Sequence, residues 1–129
     1  MVSVKELKIG TVIDIRDPYA FDDKHKYSII VGISDDRFYI GTVYINSNVN
    51  ARAINSPSLV ALQYEIFPLK YKFLRWPSYV DCSDLKDRMQ SSLLQEINTS
   101  GRILGTIPED DLSAIIRLGF ERRDHTFLL

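Results

Sequence analysis

The apolar positions divide the chain into a strand-rich first half and a helical last third. Thr11-Val12-Ile13-Asp14-Ile15-Arg16 is short and β-branched, is introduced by Gly10 and is stopped by Asp17-Pro18, and so reads as a strand. A polar loop that carries aromatics, 17–24 (DPYAFDDK), follows it. Tyr27 to Ile33 (YSIIVGI) and Arg37 to Ile45 (RFYIGTVYI) are apolar runs of strand length, separated by the turn signal Ser34-Asp35-Asp36. That is the pattern of an antiparallel hairpin. Nearly every position in both runs is apolar, so both faces of these strands are expected to be covered. Asn46 to Ser58 (NSNVNARAINSPS) is a loop by composition, because Asn and Ser side chains bond to nearby backbone. It is long for a compact domain, as functional loops often are. Leu59 to Phe67 reads as another strand ending at Pro68. Tyr71 to Trp76 is aromatic and apolar and stops at Pro77, and Ser78 to Leu85 begins as a strand.

The pattern then changes period. Ser91 to Ile97 (SSLLQEI) predicts a short helix, with Ser91 or Ser92 as N-cap and Gly101 beyond its end. Leu85, Met89, Leu93 and Ile97 fall four apart, which extends the helical pattern back to Asp84; strand and helix both remain open for Asp84 to Gln90. Arg102 to Thr106 (RILGT) is a short strand candidate. Thr106-Ile107-Pro108-Glu109 has the form of a capping box. Leu112, Ile115, Ile116 and Phe120 mark the apolar face of the helix after it, and Asp110 and Asp111 suit its dipole. Strands first and helices late imply an α+β fold, a small, strongly bent antiparallel sheet or barrel with helices on one side.

At 129 residues the chain is expected to form a single domain, 1–129, with a core that needs no disulfide. Its 16 Lys+Arg and 17 Asp+Glu give a net charge of -1. This excludes a generic polycation for nucleic acid and leaves room for a local basic patch. Cys82 is the one cysteine, so there is no internal disulfide; with His25 and His125 it does not complete a four-ligand Cys/His zinc site. No cofactor is expected. The first ten residues, MVSVKELKIG, lack the apolar region of a signal peptide, and the apolar stretch around YSIIVGI is far short of a membrane span. A free thiol fits a reducing compartment. The expected location is the cytoplasm.

The order Leu7-Lys8-Ile9-Gly10-Thr11-Val12-Ile13, a loop, then Lys26-Tyr27-Ser28-Ile29-Ile30-Val31, a long polar segment after the next strand, and the closing Gly105-Thr106-Ile107-Pro108-Glu109-Asp110-Asp111-Leu112 with its helix resembles the PemK/MazF family of toxin endoribonucleases, which includes the Kid toxin. The resemblance covers most of the chain. It implies an SH3-like β-barrel with two or more flanking helices, the last near residues 107–120. It also implies cleavage of single-stranded RNA without metal, in which the 2′-hydroxyl attacks the adjacent phosphate and leaves a cyclic phosphate and a 5′-hydroxyl. Such chemistry needs a base for the 2′-OH proton, a cation or donors to stabilise charge on the phosphate, and an acid for the leaving oxygen.

In the family an arginine precedes the second strand. Lys26 stands there in this chain, followed by Tyr27 where the family has proline; it is a cation without the guanidinium fork. His25 beside it is a residue type suited to proton transfer near neutral pH. The family's hydroxyl after the third strand falls near Ser47, and its aspartate corresponds to Asp81 or Asp84 in Asp81-Cys82-Ser83-Asp84, where the family's glutamine is missing. The catalytic candidates are thus Lys26, His25, Ser47 and Asp81. Tyr19 and Phe21 are aromatics in a polar loop and, with Lys24, are candidates for contacting RNA bases or a partner peptide. Tyr71, Phe73, Trp76 and Tyr79 read as core, and Cys82 as a small buried residue. An antitoxin partner and a homodimer follow from the resemblance, the apolar Tyr27–Ile45 hairpin offering surface to bury. The alternative is a catalytically inactive SH3-like barrel that binds RNA or a protein, favoured by the net charge of -1 and by Lys26 in place of arginine. An unrelated α+β scaffold is a third reading.

Overall fold

A computed structural model describes residues 1–16, 24–48, 55–120 and 127–128. After a 3-10 turn at Val4–Glu6, the strands are β1 (Thr11–Arg16), β2 (His25–Ser34), β3 (Tyr39–Asn46), β4 (Gln63–Ile66), β5 (Ser78–Asp81), β6 (Lys86–Met89), β7 (Arg102–Thr106) and β8 (Phe127–Leu128). The helices are α1 (Pro57–Val60), α2 (Gln90–Ser100) and α3 (Glu109–Phe120). All strands join one antiparallel sheet in the order β4-β5-β3-β2-β1-β7, with β6 added to β3 and β8 to β2. The long strands share their edges. β3 pairs with β5 at Ile45 and Asn46 and with β6 from Tyr39 to Thr42, while β2 pairs with β1 near its start and with β8 at Ile33 and Ser34. Register shifts between Val12 and Ile13 and between Ile30 and Gly32 sharpen the local bend. The sheet is not closed among the described residues; β4 and β7 are its ends. The expected α+β fold, a bent antiparallel sheet with flanking helices, is borne out.

Both faces of the central strands are buried, as their unbroken apolar runs predict. Side chains alternate along a strand, so Val12, Ile29, Val31, Val43 and Ile45 enter one core, with Ile66, Val80, Cys82 and Ile115 of α3. Ile13, Ile15, Ile30 and Ile40 enter the other, with Leu93 and Ile97 of α2. The two long helices therefore lie on opposite faces rather than on one side, because two apolar faces each need a cover. Most of the hairpin's apolar residues are buried inside the chain, while Phe38 and Tyr39 beside its turn stay exposed.

One open alternative is decided and two local expectations change. Asp84 to Gln90 is mainly strand, because Lys86–Met89 pairs with Tyr39–Thr42, and α2 begins only at Gln90 with Met89 as N-cap. The segment from Leu59 is not strand throughout: Pro57 sits in the first turn of α1, where its fixed φ and missing N–H suit a helix, and β4 covers only Gln63–Ile66. Helix α3 starts at Glu109, where the Leu112 N–H bonds to the Pro108 carbonyl, later than a cap at Thr106 would set it.

Gly101 ends α2 where the chain crosses β1. A Cβ there would lie 2.5 Å from the carbonyl oxygen of Asp14 and 3.1 Å from Cα of Ile97, both backbone atoms. Gly101→Ala is expected to lower stability by about 1–3 kcal/mol. The loss is read as a lower urea midpoint at an unchanged m-value.

Candidate functional site

Antiparallel pairing of Tyr27 with Ile45 brings the start of β2 to the end of β3. Beside this junction opens a cavity of about 510 Å³. Lys24, His25, Lys26 and Tyr27 line it from β2 and the residue before it, and Ile45, Asn46 and Ser47 from β3 and the residue after it. Phe73, Leu74, Arg75 and Trp76 form the facing wall, with Ser78 of β5. Among the described residues no carboxylate lines the cavity. A chain of net charge -1 thus gathers three permanent cations and a histidine at one opening, a favourable potential for a phosphodiester.

His25 and Lys26 leave β2 on opposite sides of the sheet. The His25 Nδ1 lies 3.0 Å from Oδ1 of Asp14 on β1. In the register Arg16 faces His25 and Asp14 faces Tyr27, so Asp14 and His25 are diagonal neighbours on one face. The Lys26 ammonium donates to Asn46 Oδ1 at 2.7 Å and sits 5.6 Å from the centre of the Tyr44 ring. Phe73 meets Tyr27 edge-on at 5.9 Å and Tyr71 at 5.8 Å. Trp76, at the rim, is 55% exposed.

A buried carboxylate holds the facing wall. Asp111, in the first turn of α3, accepts hydrogen bonds from Tyr64 Oη at 2.6 Å and from Tyr71 Oη, and pairs with Lys70 Nζ at 3.0 Å. Lys70 also bridges to Asp110. Burial alone would raise the Asp111 pKa, but the bonds from Tyr64, Tyr71 and Lys70 outweigh it and hold the carboxyl below its ordinary range. The hydrogen bond to Asp111, aided by burial, pushes the Tyr64 phenol up to about 12. Burial first, then its own bond to Asp111, raises Tyr71 further. With Tyr71 pinned to α3, the chain that follows it is carried to the cavity.

Lys24, His25, Lys26 and Ser47 therefore come together. Asp81 does not join them: it ends β5 buried, accepting from Gln63 Nε2 at 2.9 Å and from the Ser83 N–H at 3.1 Å and its hydroxyl. The Asp84 carboxylate pairs with Lys86 at 2.7 Å. Tyr19, Phe21 and His125 lie outside the described residues. Cys82 is buried, with Gly119 of α3 packed against it. Sequence reasoning missed Asp14, Asn46 and Arg75 and read Trp76 as core; the available signal was a cation and an indole side by side before Pro77.

No protein-family model matches the sequence, and no curated protein does. Among solved structures, the Mycobacterium tuberculosis toxin MazF-mt6 matches with a TM-score of 0.52, over 85% of this chain and 96% of that one, at 17% identity. The fold is PemK/MazF-like. At such identity the shared property of the two MazF-like chains is the backbone, so the chemistry of this cavity has to be read from its own side chains. Among the described residues of this MazF-like chain, no helix is long and apolar enough to cross a membrane, and no three His, Cys, Asp or Glu side chains group as a metal site.

Proposed function

We propose that this MazF-like protein is a toxin-type endoribonuclease whose cavity holds single-stranded RNA and cleaves it through its own 2′-hydroxyl. One observation carries the reading: Lys24, His25, Lys26 and Ser47 converge on one cavity, with Arg75 on its facing wall, within a fold shared with a toxin. Asp14 engages Nδ1 of His25, and among the described residues Nε2 has no hydrogen-bond partner, so Nε2 takes the 2′-OH proton. As the P–O2′ bond forms, Lys24, Arg75 and the Ser47 hydroxyl stabilise charge on the phosphate oxygens. As the P–O5′ bond breaks, the Lys26 ammonium, oriented by Asn46, protonates the departing oxygen. Base and acid on opposite sides of the strand suit an in-line displacement. The Trp76 indole offers a face for a base. An antitoxin that covers this opening, and a pairing of two copies, belong to the same reading and rest on the fold.

Incubation of the purified protein with mixed-sequence RNA tests it. The expected products carry 5′-hydroxyl and cyclic phosphate ends, and their yield is unchanged by EDTA. No cleavage by folded protein at high concentration overturns the reading. RNA bound without cleavage would instead establish the inactive barrel, which the engagement of Lys26 by Asn46 favours.

A further inference from the structure

We propose that Asp14 is a positioning residue for His25, fixing which ring nitrogen faces the substrate; this rests on the ribonuclease reading. A neutral imidazole has one N–H, and the partner of one nitrogen decides the state of the other. A carboxylate only accepts hydrogen bonds. Asp14 Oδ1, 3.0 Å from Nδ1, therefore requires the proton on Nδ1 and leaves the lone pair on Nε2. Asp14 does not line the cavity, whereas His25 does, so any influence on the reaction passes through the imidazole.

The sheet holds this pair in place from both sides. Asp14 pairs with Tyr27 of β2 and with Arg102 of β7, at the middle of three adjacent strands. Its side chain is 13% exposed, and Nε of Arg102 lies 3.4 Å from Oδ2, keeping the carboxylate turned along the row His25–Asp14–Arg102. When Nε2 accepts the 2′-OH proton, the imidazolium forms next to a carboxylate already oriented toward it, and no proton moves to Asp14. The family arginine is absent at Lys26; Asp14 supports a histidine base in its neighbourhood instead.

The test is the tautomer of His25, read by long-range proton–nitrogen NMR without RNA, alongside cleavage kinetics. Wild-type protein is expected to show the neutral ring protonated on Nδ1. Asp14→Asn is expected to lose that preference and to lower kcat about 10- to 100-fold with little change in KM, and Asp14→Glu to restore both in part. A wild-type ring protonated on Nε2 overturns the proposal and requires no variant, so a poorly folded Asp14→Asn protein does not shelter it. Unchanged kcat in a folded Asp14→Asn protein also overturns it. The expected tautomer in a protein that does not cleave RNA overturns the ribonuclease reading itself, so the two failures are distinct.

Discussion

His25→Ala is expected to lower kcat for RNA cleavage by about 100- to 10,000-fold, the usual contribution of a positioned general base. The side chain is 42% exposed at the first residue of β2, and its ring hydrogen-bonds to Asp14. Its loss leaves both cores intact, so the change in stability should stay within about 0.5 kcal/mol. A base acts in the transition state, so kcat and kcat/KM should fall together, with KM nearly constant. Single-turnover cleavage of a labelled RNA beside a thermal melt separates these quantities. A rate within tenfold of wild type would remove His25 from the mechanism and shift the burden to the cations. Loss of rate together with loss of fold would mean that His25 holds the start of β2 in place.

The second large effect is on stability. Asp111→Ala removes the acceptor shared by Tyr64 and Tyr71 and leaves a buried and a part-buried hydroxyl without their partner, a cost of about 2–4 kcal/mol. The same carboxylate gives stability a pH dependence. Its folded pKa lies below the unfolded value of about 4, so its contribution is present above that value and is lost as pH falls through the folded pKa. Tyr64 acts at the other end. Raised from 10.0 to about 12, it contributes fully below pH 10 and its share fades as pH climbs toward 12. Urea midpoints across acid, neutral and alkaline buffers should show both declines in wild type and flatter curves in Asp111→Ala. Parallel curves for the two proteins would mean that other groups set the pH dependence.

Elements written in consecutive side chains were legible. The β-branched run from Thr11 to Arg16 is β1 to the residue, and the apolar runs around Ser34-Asp35-Asp36 form the hairpin. The order of opening strand and closing helix suggested a PemK/MazF-like fold, and the backbone as a whole is similar to that of a known toxin. Where a distant partner decides, local pattern misled. Leu85 and Met89 fit a helical series with Leu93 and Ile97, yet Leu85 packs in one core and Leu93 and Ile97 in the other, because β3 recruits Lys86–Met89 as a strand. The site divides the same way. Lys24, His25 and Lys26 were visible as consecutive residues before an apolar strand. Asp14 became meaningful only through a diagonal of the β1–β2 register, and Arg75 with Trp76 only through a phenol–carboxylate bond spanning 40 residues.

The groups that give the cavity its character stand outside both apolar compartments: Lys24, His25, Ser47, Arg75 and Trp76 are all solvent-facing. Exposed positions of this kind tolerate exchange at little thermodynamic penalty. Reactivity and scaffold are thus separable in this molecule. The side chains at the opening can be exchanged while the isoleucine and valine layers hold the same backbone. A shared architecture at 17% identity is then an ordinary outcome.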